Sequence, residues 1–161
     1  MDLLKPFLLN NGSSGSIALK ANNGKYISVV GRKIECSKDT KDSETEFIIE
    51  NTARNIVTLK SAKNGKYLCF IDHVKIDQID QIEARRMRFA DEACEFIVIR
   101  HREKLIFRHK MSLRYLKNVV IDGNHYIKAV ESERDNDCKF VVEKGYEVNA
   151  RIILYLLFST L

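Results

Sequence analysis

An all-β fold with threefold internal repetition is what the sequence predicts, and three observations carry it. The first is the stretch Leu19-Lys20-Ala21-Asn22-Asn23-Gly24-Lys25-Tyr26-Ile27, which returns as Leu59-Lys60-Ser61-Ala62-Lys63-Asn64-Gly65-Lys66-Tyr67-Leu68. A worn third copy, Phe107-Arg108-His109-Lys110-Met111-Ser112-Leu113-Arg114-Tyr115-Leu116, keeps a basic residue and Tyr-Leu but has lost the Asn-Gly. The second observation is a closing segment led by phenylalanine: Phe47-Ile48-Ile49-Glu50, Phe96-Ile97-Val98-Ile99 and Phe140-Val141-Val142-Glu143, in strict alternation with the tyrosine markers. The third is that nearly all turn signals lie between β-branched or aromatic runs, without convincing helical periodicity. Units of roughly 40 to 50 residues are too small to bury their own apolar faces and must share one core. Three units of four strands closing on each other is the arithmetic of a β-trefoil, a six-stranded barrel capped by three hairpins, whose closure leaves the barrel no exposed edge.

Residues 1–16 read as an N-terminal arm and loop, with an apolar start and then Asn10-Asn11-Gly12-Ser13-Ser14-Gly15-Ser16, a loop composition. The domain proper runs over 17–143. In its first hairpin Ile17 and Leu19 alternate with Ala18 and Lys20, and Asn23-Gly24 offers the positive φ of a tight primed turn. The segment 26–30 is the returning strand, 34–36 a third strand after the Gly31 turn, and the polar run 37–46 leads to the strand 47–50. The second repeat, 56–100, alternates again in Val57-Thr58-Leu59-Lys60. Over 74–82 its apolar residues stand at spacings of two and three, so strand and helix compete. The reading is a strand, followed by a charged loop over 83–92 with room for a helical turn. In the third repeat Leu105-Ile106-Phe107 and Tyr115-Leu116 flank the eroded turn, and Asp122-Gly123 supplies the next one. Residues 144–161 form a C-terminal extension, of which 151–161 reads as a strand docking on the barrel, an amphipathic or buried helix contacting a partner, or an accident of where the frame ends. Its apolar run over 151–161 is far short of the roughly 20 residues of a membrane-spanning helix, so no membrane span is expected.

A chain of 161 residues, 45% hydrophobic and 30% charged, suits one domain with a sizeable core, and a single Pro with seven Gly leaves no linker to divide it. The formal charge of +5 permits an anionic partner, but Lys and Arg are scattered among Asp and Glu. The nearest thing to a basic cluster is Arg100, His101, Arg102, Lys104, Arg108, His109 and Lys110, relieved only by Glu103. It lacks the regular aromatic interleaving of a nucleic-acid surface, so no nucleic acid is expected. Cys36, Cys69, Cys94 and Cys138 lie far apart with no Cys-x-x-Cys and no His at zinc-ligand spacing, which predicts reduced packing thiols and no metal. With Lys5 and Pro6 interrupting the short apolar start, no signal peptide is read, and the expected location is cytoplasmic or nuclear-cytoplasmic. No nucleophile elbow or phosphate loop appears, since Gly12-Ser13-Ser14-Gly15 lacks the Lys and the helix such a loop requires. Catalysis and cofactors are therefore not expected.

The Leu-Lys-x-x-x-Gly-Lys-Tyr-Leu signature resembles the trefoils of the fascin, histactophilin and plant amaranthin-type agglutinin group. The order of landmarks is most similar to the agglutinin: Asn22-Asn23-Gly24-Lys25-Tyr26, Val57-Thr58-Leu59-Lys60, Ala93-Cys94-Glu95-Phe96, then Tyr115-Leu116-Lys117-Asn118, Asp122-Gly123, Ala129-Val130 and Phe140-Val141-Val142-Glu143. The similarity covers 17–143. It implies a lectin recognising galactose- or N-acetylgalactosamine-containing glycans or glycoproteins without catalysis or cofactor, a possible homodimer through a head-to-tail contact, and a role in plant defence or stress. Gly145-Tyr146-Glu147-Val148-Asn149-Ala150-Arg151-Ile152 looks like the start of a segment that in some plant proteins leads into a pore-forming module. The chain departs from the family in having no Trp; where the sugar-binding tryptophans stand, it reads Phe70-Ile71-Asp72-His73. The candidate carbohydrate-binding residues are Asp72, His73, Lys75, Asn124 and His125 for sugar hydroxyls, with Tyr126 as stacking surface. The alternative is a fascin-like, actin-binding trefoil that meets an acidic filament through Lys25, Arg32, Lys33 and Lys66. Bundling would then need two filament sites or a dimer.

Overall fold

The structure, a computed structural model, describes residues 14–71, 80–85, 91–131 and 135–145. Within them lie twelve strands: β1 (Ser14–Lys20), β2 (Tyr26–Val30), β3 (Lys33–Lys38), β4 (Phe47–Ala53), β5 (Ile56–Ser61), β6 (Tyr67–Ile71), β7 (Asp80–Arg85), β8 (Phe96–His101), β9 (Lys104–His109), β10 (Tyr115–Ile121), β11 (Asn124–Val130) and β12 (Val141–Lys144). Six of them close a ring. β1 pairs with β4, β4 with β5, β5 with β8 and β8 with β9, all antiparallel. Leu105 of β9 and Phe140 exchange backbone hydrogen bonds of 2.8 and 2.9 Å, and β12 then pairs with β1 to complete the circuit. The hairpins β2–β3, β6–β7 and β10–β11 stand off this ring and join each other at one end, β11 pairing with both β3 and β7.

Period-two alternation builds the core, because every second strand residue points inward. Ile17, Val57 and Leu105 form one buried set, Leu19, Leu59 and Phe107 a second, and Phe47, Phe96 and Phe140 a third. The hairpins add Ile34, Ile82 and Ile127, one from each. Both repeated sequence markers are thereby explained as structure.

The Leu-Lys…Lys-Tyr motif has a specific mechanical meaning. Lys20 pairs across to Tyr26, Lys60 to Tyr67 and Arg108 to Tyr115, and each cation lies 5.3 to 5.6 Å from its partner's ring centroid. Such a contact contributes roughly 0.5–1 kcal/mol where exposed, and its recurrence anchors each hairpin to the ring. The turn between the two residues recurs as well. Lys25, Lys66 and Arg114 donate their backbone N–H to the side-chain oxygens of Asn23, Asn64 and Ser112, at 3.0, 3.1 and 3.3 Å.

The first turn is longer than the two-residue primed turn expected. Ala21 and Lys25 bracket a three-residue loop in which the Gly24 N–H donates to the Ala21 carbonyl and Gly24 alone takes positive φ, at 80°. A type I turn followed by a left-handed glycine gives this loop. In the third copy that left-handed position is filled by Leu113, at φ 61°. A side chain there costs about 1–2 kcal/mol relative to glycine, and Leu113 is 47% exposed, so its packing returns little. Leu113→Gly is therefore expected to raise stability by about 0.5–1 kcal/mol after the extra unfolded-chain entropy of glycine is set against the relief. Urea denaturation checks it; a destabilised variant would show that the turn is not held left-handed.

Other expectations need correction. β1 begins at Ser14, earlier than 17, because Ser14 to Ile17 pair with β4. The charged loop does not begin at Glu83: β7 runs through it to Arg85, since Ile82 and Ala84 alternate inward. A helical turn does occur at Glu92–Cys94, and a second at Asn136–Cys138. Asp91 and Asp135 cap them, each accepting a hydrogen bond from the N–H two residues on, and Asp42 does the same for Glu44 in the first repeat. Asp, then Thr or Cys three residues later, then Phe two further on, is thus a third recurring signal.

The cysteines divide differently from expectation. Cys36 and Cys138 are buried thiols outside any disulfide; burial pushes the pKa of both upward, that of Cys138 to about 12. Cys69 and Cys94, however, form a disulfide across 25 residues, with Cα atoms 4.4 Å apart. The repeat accounts for their meeting: Cys69 lies two residues past Tyr67, as Ser28 does past Tyr26 and Lys117 past Tyr115, while Cys94, Thr45 and Cys138 end the capped turns. Only in the second repeat are both places cysteine.

Candidate functional site

At the end of the molecule where the hairpins meet, an open groove of about 460 Å³ lies between the β2–β3 hairpin, β7 and the β10–β11 hairpin. Its walls come from turns the sequence makes deliberately. Val30 pairs with Lys33 around Gly31-Arg32, with Gly31 at φ 67°, a glycine at the first central position. Ile121 pairs with Asn124 around Asp122-Gly123, both at positive φ (51° and 79°), the primed turn that Asp-Gly favours. The buried Ile34, Ile82 and Ile127 underlie the groove, and Arg32, Lys33, Glu83, Asp122, Asn124, Tyr126 and Lys128 rim it.

The alternation of β11 decides which of its residues reach the groove. Asn124, Tyr126 and Lys128 rim it, whereas the buried Ile127 forms part of its floor and Ala129 goes to the core. His125 is outside the lining: its Nδ1 lies 3.2 Å from Asn118 Oδ1, and Asn118 is buried. Of the three β11 residues nominated for sugar binding, Asn124 and Tyr126 thus line the groove and His125 does not. Asp72, His73 and Lys75 lie outside the described residues. Phe70, two residues before Asp72, stacks on His109 with ring centroids 4.8 Å apart and packs against the core.

Tyr126 is braced by cations. Lys33 Nζ and Lys128 Nζ lie 5.5 and 5.7 Å from its ring centroid. Arg32 also borders an adjoining depression of about 360 Å³ with Lys66, Ala84 and Arg85. Backbone contacts fix this junction: the Ala84 N–H donates to the Arg32 carbonyl at 2.9 Å, and Lys66 Nζ to the Gly31 carbonyl at 3.0 Å. Of the four cations considered as a filament-binding set, Lys25 is ion-paired with Asp39, and the other three sit together here.

The basic stretch 100–110 does not make one surface. His109 is buried, with Nε2 3.0 Å from the Ala93 carbonyl and Nδ1 accepting from the Ser112 N–H at 3.1 Å, so Nε2 carries the proton. Burial lowers its pKa. Lys110 lies 3.7 Å from Glu95 and Arg108 covers Tyr115, while His101, Arg102 and Lys104 border a separate depression of about 410 Å³ with Glu103, Asn136 and Lys139. Tyr26 is likewise a structural group: its hydroxyl donates to Glu143 at 2.5 Å, which raises its pKa to about 12. Among the described residues no three His, Cys, Asp or Glu side chains converge to hold a metal ion. Nor is any described helix long and apolar enough to cross a membrane.

No known family and no curated protein matches the sequence. Solved structures do match the fold. A Caenorhabditis elegans protein of unknown function superposes with a TM-score of 0.70 at 17% identity, over 81% of this chain and 93% of that one. A Polyporus squamosus lectin, solved with the human-type influenza-binding epitope Neu5Aca2-6Galb1-4GlcNAc, gives 0.68 at 11% identity over 84% of this chain and 50% of its own. ThreeFoil, a designed threefold-symmetric protein, gives 0.68 at 8% identity over 79% of this chain and 96% of its own, so this chain shares the all-β closed-barrel fold of a lectin and of a design built on threefold symmetry.

Proposed function

We propose that this chain is a β-trefoil lectin that binds glycans non-covalently, without catalysis or cofactor, in the groove between the β2–β3 and β10–β11 hairpins. The single observation that carries the reading is the groove itself. It is of ligand size, and it sets the Tyr126 ring beside Asn124, Asp122 and Glu83. A sugar presents an apolar C–H face and a rim of hydroxyls, so its recognition calls for a ring to stack on and a few fixed donors and acceptors around it. The six-strand ring with three hairpins supports the trefoil reading, and the shared fold of the Polyporus squamosus lectin supports the ligand class. Galactose and N-acetylgalactosamine are the sugars the amaranthin-type resemblance implies, and Asp72, His73 and Lys75 are the further groups it nominates.

A glycan array probed with the purified protein tests this. Galactosyl glycans should bind, and Tyr126→Ala and Asn124→Ala should each weaken binding by about tenfold, equivalent to about 1.4 kcal/mol. A blank array with salt-sensitive actin pelleting would remove the lectin reading and favour the fascin-like alternative.

A further inference from the structure

We infer that this groove selects glycans carrying an anionic substituent, a sulfate or a carboxylate, over their neutral parents. The inference rests on the lectin reading of the same groove and adds the charge of its ligand. Arg32, Lys33 and Lys128 rim the groove, and Lys66 and Arg85 extend the same surface through Arg32. These cations come from three separate parts of the chain: the β2–β3 turn, the loop and strand on either side of β6, and β11. Against them stand two carboxylates, Glu83 and Asp122, and Glu83 lies 3.8 Å from Arg85. Among the described residues, no carboxylate is within ion-pair distance of Arg32, Lys33 or Lys66.

Like charges gathered on one concave surface repel each other, and a concave surface of one sign concentrates ions of the opposite sign. An anion entering the groove relieves that repulsion. The guanidinium of Arg32 is suited to two parallel hydrogen bonds with a carboxylate or sulfate. Its backbone is held by the Ala84 N–H, and the turn it sits on is held by Lys66. Tyr126, with Lys33 and Lys128 near its ring, places the sugar plane beside the charged group. The ring and the cations thus divide the ligand between them, the ring taking the neutral pyranose face and the cations its acidic substituent.

The test compares neutral, 3′-sulfated and sialylated forms of one galactoside by titration calorimetry, using the full chain and Arg32→Gln/Lys33→Gln. Arg32 in the β2–β3 turn and Lys33 at the start of β3 are exposed, and an unchanged melting temperature verifies that the variant is folded. The expected result is a preference of about tenfold for an anionic form, shrinking as salt rises. In the variant the ratio of anionic to neutral affinity falls to near unity, the ratio itself being the readout. The larger of the two preferences tells sulfate from carboxylate. Equal binding of neutral and anionic forms would overturn the inference and leave the lectin reading standing. A preference that survives in the variant would remove it from this groove, and no binding of any of the three would overturn both readings.

Discussion

Phe96→Ala is expected to destabilise the protein by about 3–5 kcal/mol, the range for emptying a fully buried aromatic position. Phe96 is completely buried, pairs with Val57 on one neighbouring strand and His109 on the other, and meets the His109 ring edge-on with centroids 5.5 Å apart. Its loss would leave a cavity at a junction of three strands. Domains of this kind are stable by about 5–15 kcal/mol in total, so one truncation removes a large share. Phe47 and Phe140 are its equivalents and are equally buried; alanine at either should cost an amount in the same range. Urea denaturation with linear extrapolation measures all three. A cost below about 1 kcal/mol at Phe140 would mean that Phe140 is not packed in the ring as Phe47 and Phe96 are, contrary to its pairing with Leu105.

Removing the Cys69–Cys94 disulfide should cost about 3.5 kcal/mol, the loop-closure value for a bridge spanning 25 residues. For a chain of this size that corresponds to a fall in melting temperature on the order of 10 °C. Cys69→Ser/Cys94→Ser should show the whole loss, and reductant should lower the wild type by the same amount while leaving the variant unchanged. Cys36→Ser supplies the control: it is a free buried thiol, so its effect should be insensitive to reductant. Alkylation of all four thiols after unfolding without reductant would overturn the pairing.

The hairpins were legible in the sequence because their chemistry is local. Asn23-Gly24, Asn64-Gly65 and Asp122-Gly123 do sit at turns, and all three glycines take positive φ. The tyrosine and phenylalanine markers are core positions. What escaped were features made by distant segments meeting. Cys69 and Cys94 have no local spacing signature, and their encounter depends on a capped turn folding against β6. The aspartate caps at Asp42, Asp91 and Asp135 carried a readable pattern, obscured by the charged residues around them. At the site, Asn124 and Tyr126 stood out as polar and aromatic neighbours after a turn. Period two then divided them from His125, a consequence of strand register that the hairpin's existence alone does not specify. Arg32 and Lys33 read as exposed charge in the sequence, but their place beside Tyr126 follows from the long-range pairing of Tyr126 with Glu35, which no local pattern announces.

The pairing of β12 with β1 has a consequence for how the chain can be written. Ile17 faces Lys144 and Leu19 faces Val142 in the same antiparallel register that joins the other neighbours of the ring. The circuit therefore has no seam: each strand meets the next whether or not the backbone is continuous between them. A chain that began at β5 and passed from β12 to β1 through a short connector would visit the same neighbours in the same order. Which repeat comes first is thus a property of the gene and its reading frame, while the folded circuit is indifferent to it.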